Sequence, residues 1–118
     1  MEETLPVLVL ISEDPLRSHR ANEALRIALG VAAGENDVTI VLTGPAVHLL
    51  DADTDDLVDG DDIAKFRGSL KALGVPFHVE ADRVPDDPDW NADGHPVVTL
   101  TRDEIAARAA RARRALVF

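Results

Sequence analysis

The chain has 118 residues, 46% of them hydrophobic and 3% aromatic, which suits one globular domain with an aliphatic core and excludes a disordered chain. Twenty-two acidic residues against twelve basic ones leave a net charge of −10, a field that repels phosphate backbones and anionic lipid, so neither nucleic acid nor membrane is an expected partner. The absence of cysteine excludes a thiolate nucleophile, a disulfide and a thiolate metal ligand.

The opening Met1-Glu2-Glu3-Thr4 is acidic where a signal peptide would be basic, so the expected location is cytoplasmic. Leu5 to Ile11 is a continuous apolar run, the pattern of a strand buried on both faces. Asp14-Pro15 offers an N-cap with proline at the first helical position. Ala21, Ala24, Leu25, Ala28, Leu29 and Ala32 then recur at helical spacing until Gly34. Val38 to Leu42 predicts a second strand, which makes the opening a βαβ unit with parallel pairing and a right-handed crossover.

Val47 to Leu50 predicts a short helical turn. Ile63, Phe66, Leu70 and Leu73 form an amphipathic stripe, capped around Asp61 or Asp62 and stopped by Gly74. Val75 to Val79 reads as a third strand. Val84 to Pro96, rich in Pro, Asp and Gly, reads as a loop that is long for a compact domain. Val97 to Leu100 is a fourth strand, and Thr101-Arg102-Asp103-Glu104 is a capping box for a last helix. Acids in the first turn of that helix, with Arg111, Arg113 and Arg114 in its last, match the helix dipole. Ala115 to Phe118 closes the chain as a short strand.

This order predicts a single domain over 1–118: a three-layer α/β/α sandwich around a five-stranded, mainly parallel sheet. Ligands of such folds sit outside the carboxyl ends of the strands. Those ends carry Ser12, Glu13, Thr43, Gly44, Glu80, Asp82, Thr101 and Arg102, with His48 just beyond the second strand.

Asp51, Asp53, Asp55, Asp59 and Asp62 fall at positions 1, 3, 5, 9 and 12 of a calcium-loop pattern. Position 6, which needs a sharp turn, is Asp56, and position 12 lacks the reach of glutamate, so the ladder is a departure from the pattern and no metal is expected. His19, His48, His78 and His95 are not at metal-ligand spacing. Ser12 and Ser18 lack the Gly-x-Ser-x-Gly elbow of a serine nucleophile. The turn Ser12-Glu13-Asp14-Pro15 is acidic and free of glycine, which argues against a phosphate cradle; no cofactor is expected. Trp90 reads either as an anchor for its long loop or as a subunit contact.

Ala24-Leu25-Arg26-Ile27-Ala28, the strand end Val41-Leu42-Thr43-Gly44, the turn Val47-His48-Leu49-Leu50, Leu70-Lys71-Ala72-Leu73-Gly74-Val75 and the terminal Ala115-Leu116-Val117-Phe118 lie in an order that resembles the DsrE/DsrF-like family, which includes sulfur-relay subunits of the Tus type. The resemblance implies an α/β/α fold and assembly as trimers or hexamers. In active members it also implies a persulfide-carrying cysteine after the third strand. Here the matching stretch is Gly74-Val75-Pro76-Phe77-His78-Val79-Glu80, so a glutamate stands at the cysteine position. A carboxylate cannot carry sulfane sulfur. The expected function is therefore a non-catalytic DsrE-like protein acting as a homo-oligomer or with a protein partner. A small-ligand binder at the strand ends and a cysteine-independent enzyme built on Glu80, His48 and Arg102 are its rivals.

Overall fold

The computed structural model describes residues 7–118. The segment 1–4 and the first two residues of the predicted opening strand, Leu5 and Pro6, lie outside the described residues. The strands are β1 (Val7–Ile11), β2 (Val38–Leu42), β3 (Phe77–Glu80), β4 (Val97–Leu100) and β5 (Arg114–Val117). The helices are α1 (Arg20–Ala33), α2 (Gly60–Ala72) and α3 (Arg102–Arg111), with 3-10 segments at Gly44–Leu50 and Ala81–Arg83. The five strands lie in the order β4-β3-β2-β1-β5, and every pairing is parallel.

Alternation along the strands divides the core into two layers. Val9, Ile11, Ile40, Leu42, Phe77 and Val79 face α1 and α2 and pack with Ala24, Leu25, Ala28, Ile63 and Leu70. Leu8, Val41 and Leu100 face the other way, against Ile105 of α3. That second layer is thin, because α3 is ten residues long and contributes one buried side chain.

The predicted elements all form, with shifted boundaries. Asp14-Pro15 does not cap α1, which starts only after His19. Instead Asp14 Oδ1 accepts from the N–H of Leu16 at 3.0 Å and its carbonyl accepts from Arg17 and Ser18, closing a separate turn. The Pro15 carbonyl accepts from Val58 at 2.8 Å and so ties this turn to the loop before α2. The buried stripe of α2 is Ile63, Arg67 and Leu70, whereas Phe66 is half-buried and Leu73 is 52% exposed. A Cβ on Gly60 would lie 2.1 Å from the Thr54 carbonyl oxygen, so the entry to α2 requires glycine. The capping box forms as predicted: the Thr101 side chain accepts from Glu104 N–H, and Glu104 Oε1 accepts from Thr101 N–H. Arg113 and Arg114 fall beyond α3, because the helix stops at Arg111 and Arg114 begins β5.

Candidate functional site

Glu80 is the last residue of β3, and strand alternation turns its side chain toward the α3 layer. Beside it, β2 ends and the chain turns at Gly44, whose φ of 53° is a conformation that glycine adopts without strain. The Gly44 N–H donates to Glu80 Oε1 at 3.1 Å. Arg83, in the 3-10 turn after β3, brings its Nε to 4.0 Å from the same oxygen. Arg102, the first residue of α3, brings its Nε to 3.8 Å from Oε2.

Glu80 is 7% exposed, so its charge needs compensation from within the protein. One backbone amide and two guanidinium groups supply it. The arginine side chains are 61% and 84% exposed and stand beyond hydrogen-bond distance, so they act as screened neighbouring charges rather than a tight buried pair. The carboxylate opens on a cavity of about 370 Å³. Thr43, Gly44, Arg83 and Arg102 supply its polar lining, and Leu10, Ile105, Ala106 and Ala109 form an apolar wall. The cavity thus sets one buried carboxylate and two exposed guanidinium groups beside an apolar lining, and it offers no thiol to carry sulfur.

The structure thus brings together Thr43, Gly44, Glu80 and Arg102 of the predicted site and leaves the others apart. The Ser12 hydroxyl donates to the Phe118 carbonyl at 3.1 Å, and the N–H groups of Ser12 and Glu13 point to the same oxygen; these residues fasten the chain end rather than line the cavity. Thr101 is occupied by its cap, and its backbone N–H holds the Glu104 carboxyl below the usual range. His48 does not join Glu80. Its Nδ1 lies 3.1 Å from Asp51 Oδ2, and it is absent from the cavity lining, which removes the geometry that an enzyme built on Glu80, His48 and Arg102 requires.

The aspartate ladder is split: Asp55, Asp59 and Asp62 line an open depression with Asp61 at the start of α2, without Asp51 or Asp53. Asp51 faces His48, Asp53 Oδ1 accepts from Asp55 N–H at 3.0 Å, and Asp59 accepts from Asn22. Among the described residues no group of three or more histidines and carboxylates is placed to hold a metal ion. Burial raises the Asp51 carboxyl above its ordinary value, against the pull of His48. His19 lies on the surface, 3.7 Å from Glu23. His78 and His95 are both held below the ordinary imidazole value, first by burial and then by Arg108 and Arg67 respectively.

Trp90 is half-buried, and its Nε1 donates to the Val47 carbonyl at 2.8 Å while its backbone bridges Asp51. It anchors the long loop to the 3-10 segment through that hydrogen bond, and the rest of its indole is half-buried. Two arginines make contacts that only a weak sequence signal marks. Arg83 had a signal, a basic residue three positions after a strand-end glutamate. Arg67 had another, a charge in register with Ile63 and Leu70. It is 3% exposed and donates to the Leu49 and Asp51 carbonyls and to Asp93.

A fully parallel α/β/α sandwich with a polar site at the carboxyl ends of its central strands places this chain among small doubly wound domains. Within that class the model of the DsrE/DsrF-like family matches residues 6–82, a span that includes β1 and runs past Glu80 at the end of β3, and the chain belongs to that family. Its fold is similar to the crystal structure of the ychN protein from E. coli, with a TM-score of 0.76 and 20% identity over 98% of this chain and 100% of that one. No curated protein matches the sequence.

Proposed function

We propose that this chain is a DsrE-like module that does not carry persulfide sulfur and works by assembling with copies of itself or with a protein partner. The observation that carries the reading is Glu80. The resemblance assigns its position to the family's sulfur-bearing cysteine, and a carboxylate anchored by Gly44 N–H occupies it in a chain without any thiol. The surface supports the assembly half. Val98 on β4 and Val117 on β5 share the sheet face that α3 covers only in part, and they remain 40% and 61% exposed. Neighbouring copies would bury them.

The test of the first half is to load the protein from a persulfide donor and assay cyanide-labile sulfur. The expected result is none on the native chain, with sulfur gained by Glu80→Cys. Stoichiometric sulfur on the native chain overturns the reading. Sedimentation tests the second half, where a strict monomer at micromolar concentration counts against assembly.

The cavity beside Glu80 supports a second reading, binding of a small ligand, because its carboxylate is only partly satisfied by the protein.

A further inference from the structure

A buried carboxylate accepts hydrogen bonds at both oxygens when partners exist. In Glu80, Oε1 receives the Gly44 N–H, whereas Oε2 receives no hydrogen bond from any described residue; Arg102 Nε, at 3.8 Å, is too distant. Oε2 is not among the atoms sealed from solvent, so on a side chain that is only 10% exposed it is open to a ligand group. Arg83 and Arg102 both approach Glu80 through Nε, which leaves their terminal NH₂ groups without hydrogen-bond partners among the described residues. Such a guanidinium fork matches a carboxylate geometrically. The rest of the lining, Leu10, Ile105, Ala106 and Ala109, has no polar side chain, and Ile105 is its buried member.

These charges select among ligands. A simple cation drawn to Glu80 sits between two guanidinium groups, and a simple anion drawn to the arginines faces the carboxylate. A molecule bearing both signs a few ångströms apart satisfies each. We infer that the Glu80 cavity takes a small zwitterion, an α-amino acid with an aliphatic side chain, with its ammonium on Glu80 Oε2, its carboxylate on Arg102 and Arg83, and its side chain against Ile105. The cavity, at about 370 Å³, lies at the small end of the range of roughly 300–1,000 Å³ typical of ligand sites. The inference rests on the ligand-binding reading of this site and is independent of the sulfur and assembly readings.

The probe is L-leucine, titrated calorimetrically into the full chain beside 3-methylbutylamine, which lacks the carboxylate, and 4-methylpentanoate, which lacks the ammonium. Leucine is expected to bind, with each half-analogue weaker by on the order of tenfold, the value of one charge-assisted hydrogen bond. Glu80→Gln and Arg102→Gln are expected to weaken leucine binding by a similar factor. Arg102 is 84% exposed and the Thr101–Glu104 cap does not depend on its side chain, so that variant keeps the test valid if Glu80→Gln disturbs folding. No heat with millimolar leucine overturns the inference. So does a half-analogue that binds as tightly as leucine, or unchanged leucine affinity in Arg102→Gln. Each of those results leaves the cyanide-labile sulfur assay and the sedimentation result where they stand, so the two failures are distinguishable.

Discussion

The backbone N–H of Gly44 donates to Oε1 of Glu80 at 3.1 Å, so one side chain at the end of β3 closes the turn that follows β2. This contact gives Glu80 a structural role. Its replacements should separate accordingly. Glu80→Gln keeps an acceptor for Gly44 and is expected to change stability by less than about 1 kcal/mol. Glu80→Ala leaves the amide unpaired in a partly buried turn and is expected to cost about 1–3 kcal/mol. Urea denaturation of the two variants checks the order. Equal losses would mean that the charge, rather than the hydrogen bond, matters.

Arg67 should be the costliest single charge to remove. Its guanidinium joins the Leu49 and Asp51 carbonyls to Asp93, holding the end of the 3-10 segment against the long loop. Arg67→Ala strands those buried carbonyls and opens a void, with an expected loss of about 3 kcal/mol or more. Arg67→Lys is not expected to restore it, because a single ammonium cannot reproduce the planar fork. Limited proteolysis should then cut first between residues 84 and 96 in both variants. Native-like protection of that loop in Arg67→Ala would overturn the role.

Gly60 and Gly68 lie in the same helix and should respond to alanine with opposite signs. At Gly60 a Cβ meets the Thr54 carbonyl oxygen at 2.1 Å, and relief requires backbone movement, so Gly60→Ala is expected to cost about 1–3 kcal/mol. At Gly68 nothing lies within 4 Å and the position is exposed, so Gly68→Ala is expected to stabilise by roughly 0.5–1 kcal/mol through helix propensity. Thermal denaturation of the pair checks the contrast within one element.

Much of the fold was legible because its strands are short apolar runs separated by helix-period patterns, and buried parallel strands leave that trace. The Thr101–Glu104 cap was legible because its chemistry is local. What was not legible depended on distant partners. Asp14-Pro15 looks like a helix start, but the Pro15 carbonyl meets Val58 and the turn closes on itself. Phe66 outranks Arg67 as a core residue on hydropathy alone, yet the carbonyls of Leu49 and Asp51 reward the arginine. Glu80, Thr43, Gly44 and Arg102, read from strand ends, come together around one cavity, whereas a seven-residue 3-10 segment turns His48 away toward Asp51.

Buried His95 and half-buried His78 predict how stability responds to acid. Burial and nearby cations depress both His78, near Arg108, and His95, near Arg67 and Lys71 and set edge-on to Phe77 at 6.0 Å. In the unfolded chain both take protons near the ordinary value of 6.5, whereas the folded protein resists until lower pH. The unfolded state therefore binds more protons in this window, and stability falls as pH drops below about 6.5. Asp51, raised by burial, works in the opposite direction, but only over the carboxylate range further down. Urea midpoints at pH 7.5 and 5.5 should show lower stability at 5.5. His95→Gln should flatten the difference by removing one of the two groups, even if it lowers stability at both pH values. An unchanged slope in His95→Gln would assign the dependence to His78, and a native protein no weaker at pH 5.5 would show that neither imidazole resists protonation in the fold.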